Sequence, residues 1–99
     1  MNAYYQALRV QADQLFHKFN DVVDDRVATG GLKQEIRDIV EWCEMEKNPH
    51  SIEDKIKHVD EELREISHTG PQEIDRGHVD LLIDMTEHLR ENVRRMPNY

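Results

Sequence analysis

The chain is short of the residues that build disulfide scaffolds, sheets, phosphate loops and membrane spans. Its single cysteine allows no intramolecular disulfide, which fits a reducing compartment and gives a cytoplasmic expectation. No apolar run approaches the roughly 18 residues of a membrane-spanning helix. The opening MNAYYQALRV lacks the basic region, apolar stretch and small-residue cleavage site of a secretory signal. Glycines number only four and none belongs to a Walker-type loop, so phosphate binding is expected to run through a metal. No segment alternates apolar and polar residues in the manner of a strand. Positive charge is scarce too: 13 Lys and Arg stand against 21 Asp and Glu, a formal net charge of −8. Such a surface repels nucleic-acid backbones and anionic membranes, and neither is an expected partner. It is compatible with a divalent cation or a basic protein partner.

What the chain does have is helical periodicity. Its 99 residues are enough for one domain with one modest core. The apolar stripes predict an all-α, four-helix bundle-like domain, with helices at about 3–27, 32–47, 52–68 and 72–95. The first stripe is Leu8, Ala12, Leu15, Phe19, Val22 or Val23, and Val27, stopped by Thr29-Gly30-Gly31. The second is Leu32, Ile36, Ile39, Val40 and Cys43, with Trp42 to one side. Asn48-Pro49-His50 reads as a break, after which Ser51 and Asp54 have the spacing of a capping box. The third stripe is Ile52, Ile56, Val59, Leu63 and Ile66. Gly70 suits a helix end and Pro71 a first turn, and the fourth stripe is Ile74, Leu81 or Leu82, Met85, Leu89, Val93 and Met96. This is more apolar surface than a small monomer needs, so a homodimer or higher assembly is expected.

The third helix carries the chemistry. In HVDEELREI, the advance of about 100° per residue sets His58, Glu61 or Glu62, and Glu65 along one flank of the apolar stripe. Carboxylates three apart, as in Glu62 and Glu65, can converge on one hard cation such as Mg²⁺ or Mn²⁺. A second acidic row, Glu73, Asp80, Asp84, Glu87 and Glu91, follows on the fourth helix. A plainer reading also fits: Arg76 with Asp80, Glu87 with Arg90 and Glu91 with Arg95 have the spacings of a solvated, ion-paired helix face.

From Glu41 to Leu89, about half the chain, the sequence resembles the all-α nucleoside triphosphate pyrophosphohydrolases of the MazG and dUTPase kind. Members carry a tryptophan in one helix, a short break, and a helix with His-x-x-x-Glu-Leu-x-Glu-Ile. Trp42, His58, Glu62, Leu63, Glu65 and Ile66 match that order and spacing. The family's second motif is Glu-x-x-Asp at the start of the next helix. Here Asp80 is the aspartate while Gly77 occupies the glutamate position, and Glu73, one turn earlier, is the candidate substitute.

The resemblance implies metal-assisted hydrolysis of a (deoxy)nucleoside triphosphate to the monophosphate and pyrophosphate, a reaction of nucleotide-pool cleansing. Glu62, Glu65 and Asp80, with Glu73, would hold Mg²⁺ or Mn²⁺, and Glu61 or Asp84 would orient or deprotonate the attacking water. Trp42 is a candidate to stack on the base and His58 a candidate neighbour of Glu62 at the substrate. The alternative is a non-catalytic acidic helical protein, phage- or mobile-element-borne, that binds a basic partner. Zinc is disfavoured: His58, His68, His78 and His88 recur every ten residues, a period that does not align on one helix face, and Cys43 lies in an apolar stripe.

Overall fold

The computed structural model describes residues 2–23, 31–69 and 74–99. They form four helices, α1 (Ala3–Val22), α2 (Leu32–Glu44), α3 (Pro49–Thr69) and α4 (Arg76–Arg94), and no strand is present among the described residues. None of the described helices is long and apolar enough to cross a membrane.

Four boundaries differ from the sequence reading, and local causes are visible at them. Asn2 caps α1, its Oδ1 accepting the Tyr4 N–H at 2.8 Å. The helix ends at Val22, where Val23 turns to extended backbone, a conformation two successive β-branched residues favour. The expected continuation to Val27 lies outside the described residues. α2 stops at Glu44 rather than running to Lys47, and the reason is a Schellman motif without a glycine. Glu46 takes the left-handed position at φ +52°, its N–H donates to the Cys43 carbonyl, and the Lys47 N–H donates to the Trp42 carbonyl at 3.1 Å.

The break expected at Asn48-Pro49-His50 is instead the start of α3. Asn48 is the N-cap, its Oδ1 accepting the His50 N–H at 2.8 Å, and Pro49 occupies the first helical position, where a missing N–H costs nothing. Ser51 and Asp54 therefore lie inside the helix and form no capping box. Asp75 caps α4 by accepting the Gly77 N–H at 2.7 Å, three residues beyond the expected start at Gln72. Buried Ile74 precedes that cap and buried Val79 follows it at the positions of a hydrophobic staple. Gly70, Pro71, Gln72 and Glu73 lie outside the described residues.

The helices alternate in direction. Tyr5 at the start of α1 donates its hydroxyl to the Lys47 carbonyl beyond the end of α2, at 2.7 Å. Asn92 near the end of α4 reaches Gln11 on α1, and Glu53 near the start of α3 meets Arg94 at the end of α4. Each helix packs only on its neighbours in a ring, α1 on α2, α2 on α3, α3 on α4 and α4 on α1. The result is a bundle of 41 × 20 × 19 Å.

The core follows the expected stripes closely. Leu8, Ala12, Leu15, Phe19, Leu32, Ile36, Ile39, Cys43, Ile52, Ile56, Val59 and Leu63 are buried, as are Ile74, Leu89, Val93 and Met96. Leu82 faces inward and Leu81 outward, while Val40, Trp42, Ile66 and Met85 border the core. Val79, Ile83 and Thr86 join it as well, the Thr86 hydroxyl satisfied by the Leu82 carbonyl at 2.7 Å. Burial pushes the Cys43 thiol up to about 12, so it is a packing residue and not a thiolate.

Candidate metal centre

Two seams of α3 divide its acidic residues. Glu53, Asp60, Arg64 and Ser67 face α4, whereas Lys55, His58 and Glu62 face α2. The second seam holds the one group of three or more His, Cys, Asp or Glu among the described residues whose ligand atoms converge: Glu35, His58 and Glu62, all within 4.8 Å of one another. His58 Nε2 is 2.7 Å from Glu62 Oε1 and 3.2 Å from Glu35 Oε1. One imidazole nitrogen thus serves two carboxylates, one a turn ahead on its own helix and one across the seam.

The second oxygen of Glu35 is buried and has no hydrogen-bond partner among the described residues. Burial raises the Glu62 carboxyl above the ordinary glutamate range, the Glu35 charge raises it further, and His58 opposes both. A hydrogen bond to the Glu35 carboxyl and the charge of Glu65 add to the rise. The Glu62 carboxyl is therefore disposed to hold a proton, or to accept a cation in its place.

The sequence anticipated half of this arrangement. His58 and Glu62 meet as expected, but Glu35 was missed, although the register of the α2–α3 hairpin contains it. Glu35 and His58 lie equally far from the Glu46–Lys47 turn, as do Asp38 and Lys55, which pair at 4.0 Å. Mirroring α3 about that turn identifies the partner.

Glu65 and Asp80 do not enter the cluster. Asp80 is exposed on the other seam, where the Ser67 hydroxyl donates to it at 3.4 Å, and α4 is not a neighbour of α2 in the ring. Glu61, Glu65 and Asp84 are exposed, and Glu73 lies outside the described residues. At Gly77 an added Cβ would come within 3.2 Å of the Asp75 carboxylate that caps α4. A larger residue there would press on that cap.

The expected surface ion pairs also rearrange. Arg64 bridges Asp60 on its own helix and Glu87 across the seam, and Arg90 and Arg94 turn to Glu53. Arg76–Asp80, Glu87–Arg90 and Glu91–Arg95 do not form ion pairs among the described residues.

Next to the cluster lies an open hollow of about 360 Å³, lined by Trp42, Ser51, Asp54, Lys55 and His58. His58 borders both. The Lys47 and Lys55 ammonium groups lie 4.1 and 5.0 Å from the centre of the Trp42 ring, held by its π-face. The two candidate substrate residues, Trp42 and His58, thus line one depression, and that depression is flanked by positive charge on an otherwise acidic protein. Compared with family models, with curated proteins and with solved structures, the chain finds no match.

Proposed function

We propose that the α2–α3 face holds a divalent cation on Glu35, His58 and Glu62, and that the protein uses it to hydrolyse a nucleoside triphosphate to the monophosphate and pyrophosphate. The observation that carries this reading is the convergence of three ligand atoms within 4.8 Å beside a buried carboxylate oxygen that no described residue satisfies. Two carboxylates that repel each other and one imidazole fit a divalent ion, and the nitrogen ligand favours Mn²⁺ over Mg²⁺. The bound ion would supply Lewis acidity and an acidified water.

The residues of the chain divide the remaining tasks. Trp42 offers a face to the base and, with it displaced from the ring, the ammonium groups of Lys47 and Lys55 meet the phosphates. Without the cation, His58 Nε2 bridges the Glu35 and Glu62 carboxylates; the cation would replace that bridge, and the raised Glu62 carboxyl makes uptake weaker in acid. Glu61, adjacent to Glu62 on the exposed side of α3, is the candidate to orient the attacking water.

The test is pyrophosphate release from a panel of ribo- and deoxynucleoside triphosphates with Mn²⁺, with Mg²⁺ and with chelator, run beside direct Mn²⁺ titration by electron paramagnetic resonance. Mn²⁺ binding and metal-dependent release are expected, both lost in Glu35→Gln and Glu62→Gln, with release down on the order of 100-fold. Failure to bind Mn²⁺ would sink the metal reading outright. Binding without release would leave a metal-holding acidic helical protein, a reading favoured by the exposed carboxylates of Glu61, Glu65, Asp80 and Asp84, and the search would move to a basic partner.

A further inference from the structure

On the opposite side of the ring, the α1–α4 seam opens into a groove of about 460 Å³, within the size range of small-molecule sites. Ala3, Tyr4, Ala7, Leu8 and Met96 make it mainly apolar, the two alanines leaving room where larger side chains would close the seam. Tyr4 stands 53% exposed as one wall, with its backbone N–H already committed to the Asn2 cap. Two polar groups lie across the floor, where Asn92 donates to the Gln11 carbonyl oxygen at 2.9 Å and so leaves the Gln11 amide hydrogens free to turn outward. The remaining lining residue is Arg95, whose guanidinium makes no ion pair with any described residue.

No acidic residue lines this groove, although 21 of the 99 residues are Asp or Glu. Among the described lining residues the one charge is the Arg95 cation, beside the Gln11 amide. We propose that the groove is a second binding site, for an amphipathic carboxylate: an unbranched apolar body lies along Ala3, Ala7 and Met96, and the head group is held by Arg95 and Gln11. Arginine's planar fork suits a carboxylate, and the apolar walls favour a chain of methylenes over a sugar or a nucleotide. The site is separate from the metal reading, since none of its lining residues belongs to α2 or α3.

The probe is decanoate below its micelle concentration, titrated into the full chain and followed by amide and methyl chemical shifts, with chelator present throughout. Shifts are expected at Ala7, Gln11, Asn92 and Met96 and not at Glu35 or His58. Affinity should rise about fourfold per methylene from hexanoate to decanoate. Arg95→Gln should weaken decanoate at least about tenfold while leaving decanol unchanged, and Ala7→Leu, a change on an exposed helix face, should block both without unfolding α1. The proposal is overturned if decanoate and decanol bind alike, if Ala7→Leu binds as well as the parent, or if groove signals shift with protein concentration alone, which would make a second copy the occupant.

Discussion

Glu53 and Glu62 stand nine positions apart on α3, and their surroundings drive their carboxyls in opposite directions. Burial alone would raise Glu53, but hydrogen bonds from Arg94 and Tyr99 and the charges of Arg94 and Arg90 outweigh it, so its carboxyl sits below the ordinary range. Arg94 Nε lies at 2.9 Å and the Tyr99 hydroxyl at 2.6 Å, and the Tyr99 ring stacks on His50 with centroids 4.1 Å apart. Glu62 is also partly buried, but the group across its seam is another glutamate, and its carboxyl is raised. Residue type and helix are the same. What differs is the facing helix: α4 supplies cations, and α2 supplies an anion. One site pairs its carboxylate with cations, while the other sets two carboxylates against each other with one imidazole between them.

Removing Glu53 should produce the largest effect. Glu53→Ala leaves two guanidinium groups and a phenol facing a vacancy, and denaturant unfolding should show a loss of about 2–3 kcal/mol. For a domain of this size that is a fall in melting temperature on the order of 10 °C. A loss under about 0.5 kcal/mol would show that the network merely decorates α3 and would erase half of the contrast.

Glu62→Gln should move stability the other way, by about 1 kcal/mol at neutral pH, because it removes the repulsion from Glu35 while keeping a hydrogen-bonding group beside His58. The pH dependence distinguishes the two sites. Glu53, with its lowered carboxyl, contributes stability above the ordinary glutamate range and loses it as pH falls through its folded value. Glu62, with its raised carboxyl, contributes most below the ordinary range and loses that contribution as pH rises through its folded value. The gain from Glu62→Gln should therefore vanish in acid, whereas the deficit of Glu53→Ala should shrink there. A Glu62→Gln variant less stable than the parent at neutral pH would mean that the His58 contact outweighs the carboxylate pair.

The smallest effect serves as the control for net charge. Glu46→Gln removes the same single negative charge from an exposed turn, where Glu46 accepts the Asn2 N–H at 3.3 Å. Its unfolding free energy should stay within about 0.5 kcal/mol of the parent. A gain as large as that of Glu62→Gln would trace both to the overall charge and not to Glu35.

The fold was legible where periodicity speaks and less so where single residues cap. The stripe through Leu32, Ile36, Ile39 and Cys43 fixed one face of α2, yet its end was misread because a glutamate occupies the left-handed position that a glycine usually marks. Pro49 was read as a breaker because a proline in sequence carries both meanings, and only the Asn48 side chain decides between them. Leu81 and Leu82 compete for one core position, and the helix phase set by Asp75 selects the second. At the site, His58–Glu62 was readable because both lie on one helix one turn apart. Glu35 was not, because its approach depends on the register between two helices. Asp80 was drawn toward Glu62 by the motif, but the two face different seams of α3.

The ring of contacts has a kinetic consequence. Three of its four seams join helices consecutive in the chain, and only α4 on α1 joins its two ends. Loops between consecutive helices are short to close, so the hairpins should assemble early and the whole should fold in milliseconds or less, with the α1–α4 seam closing last. The last seam to close is also the first to part. Brief excursions in which α1 lifts from α4 should expose amides of those helices to exchange before the α2–α3 seam yields, a graded order of opening set by connectivity alone.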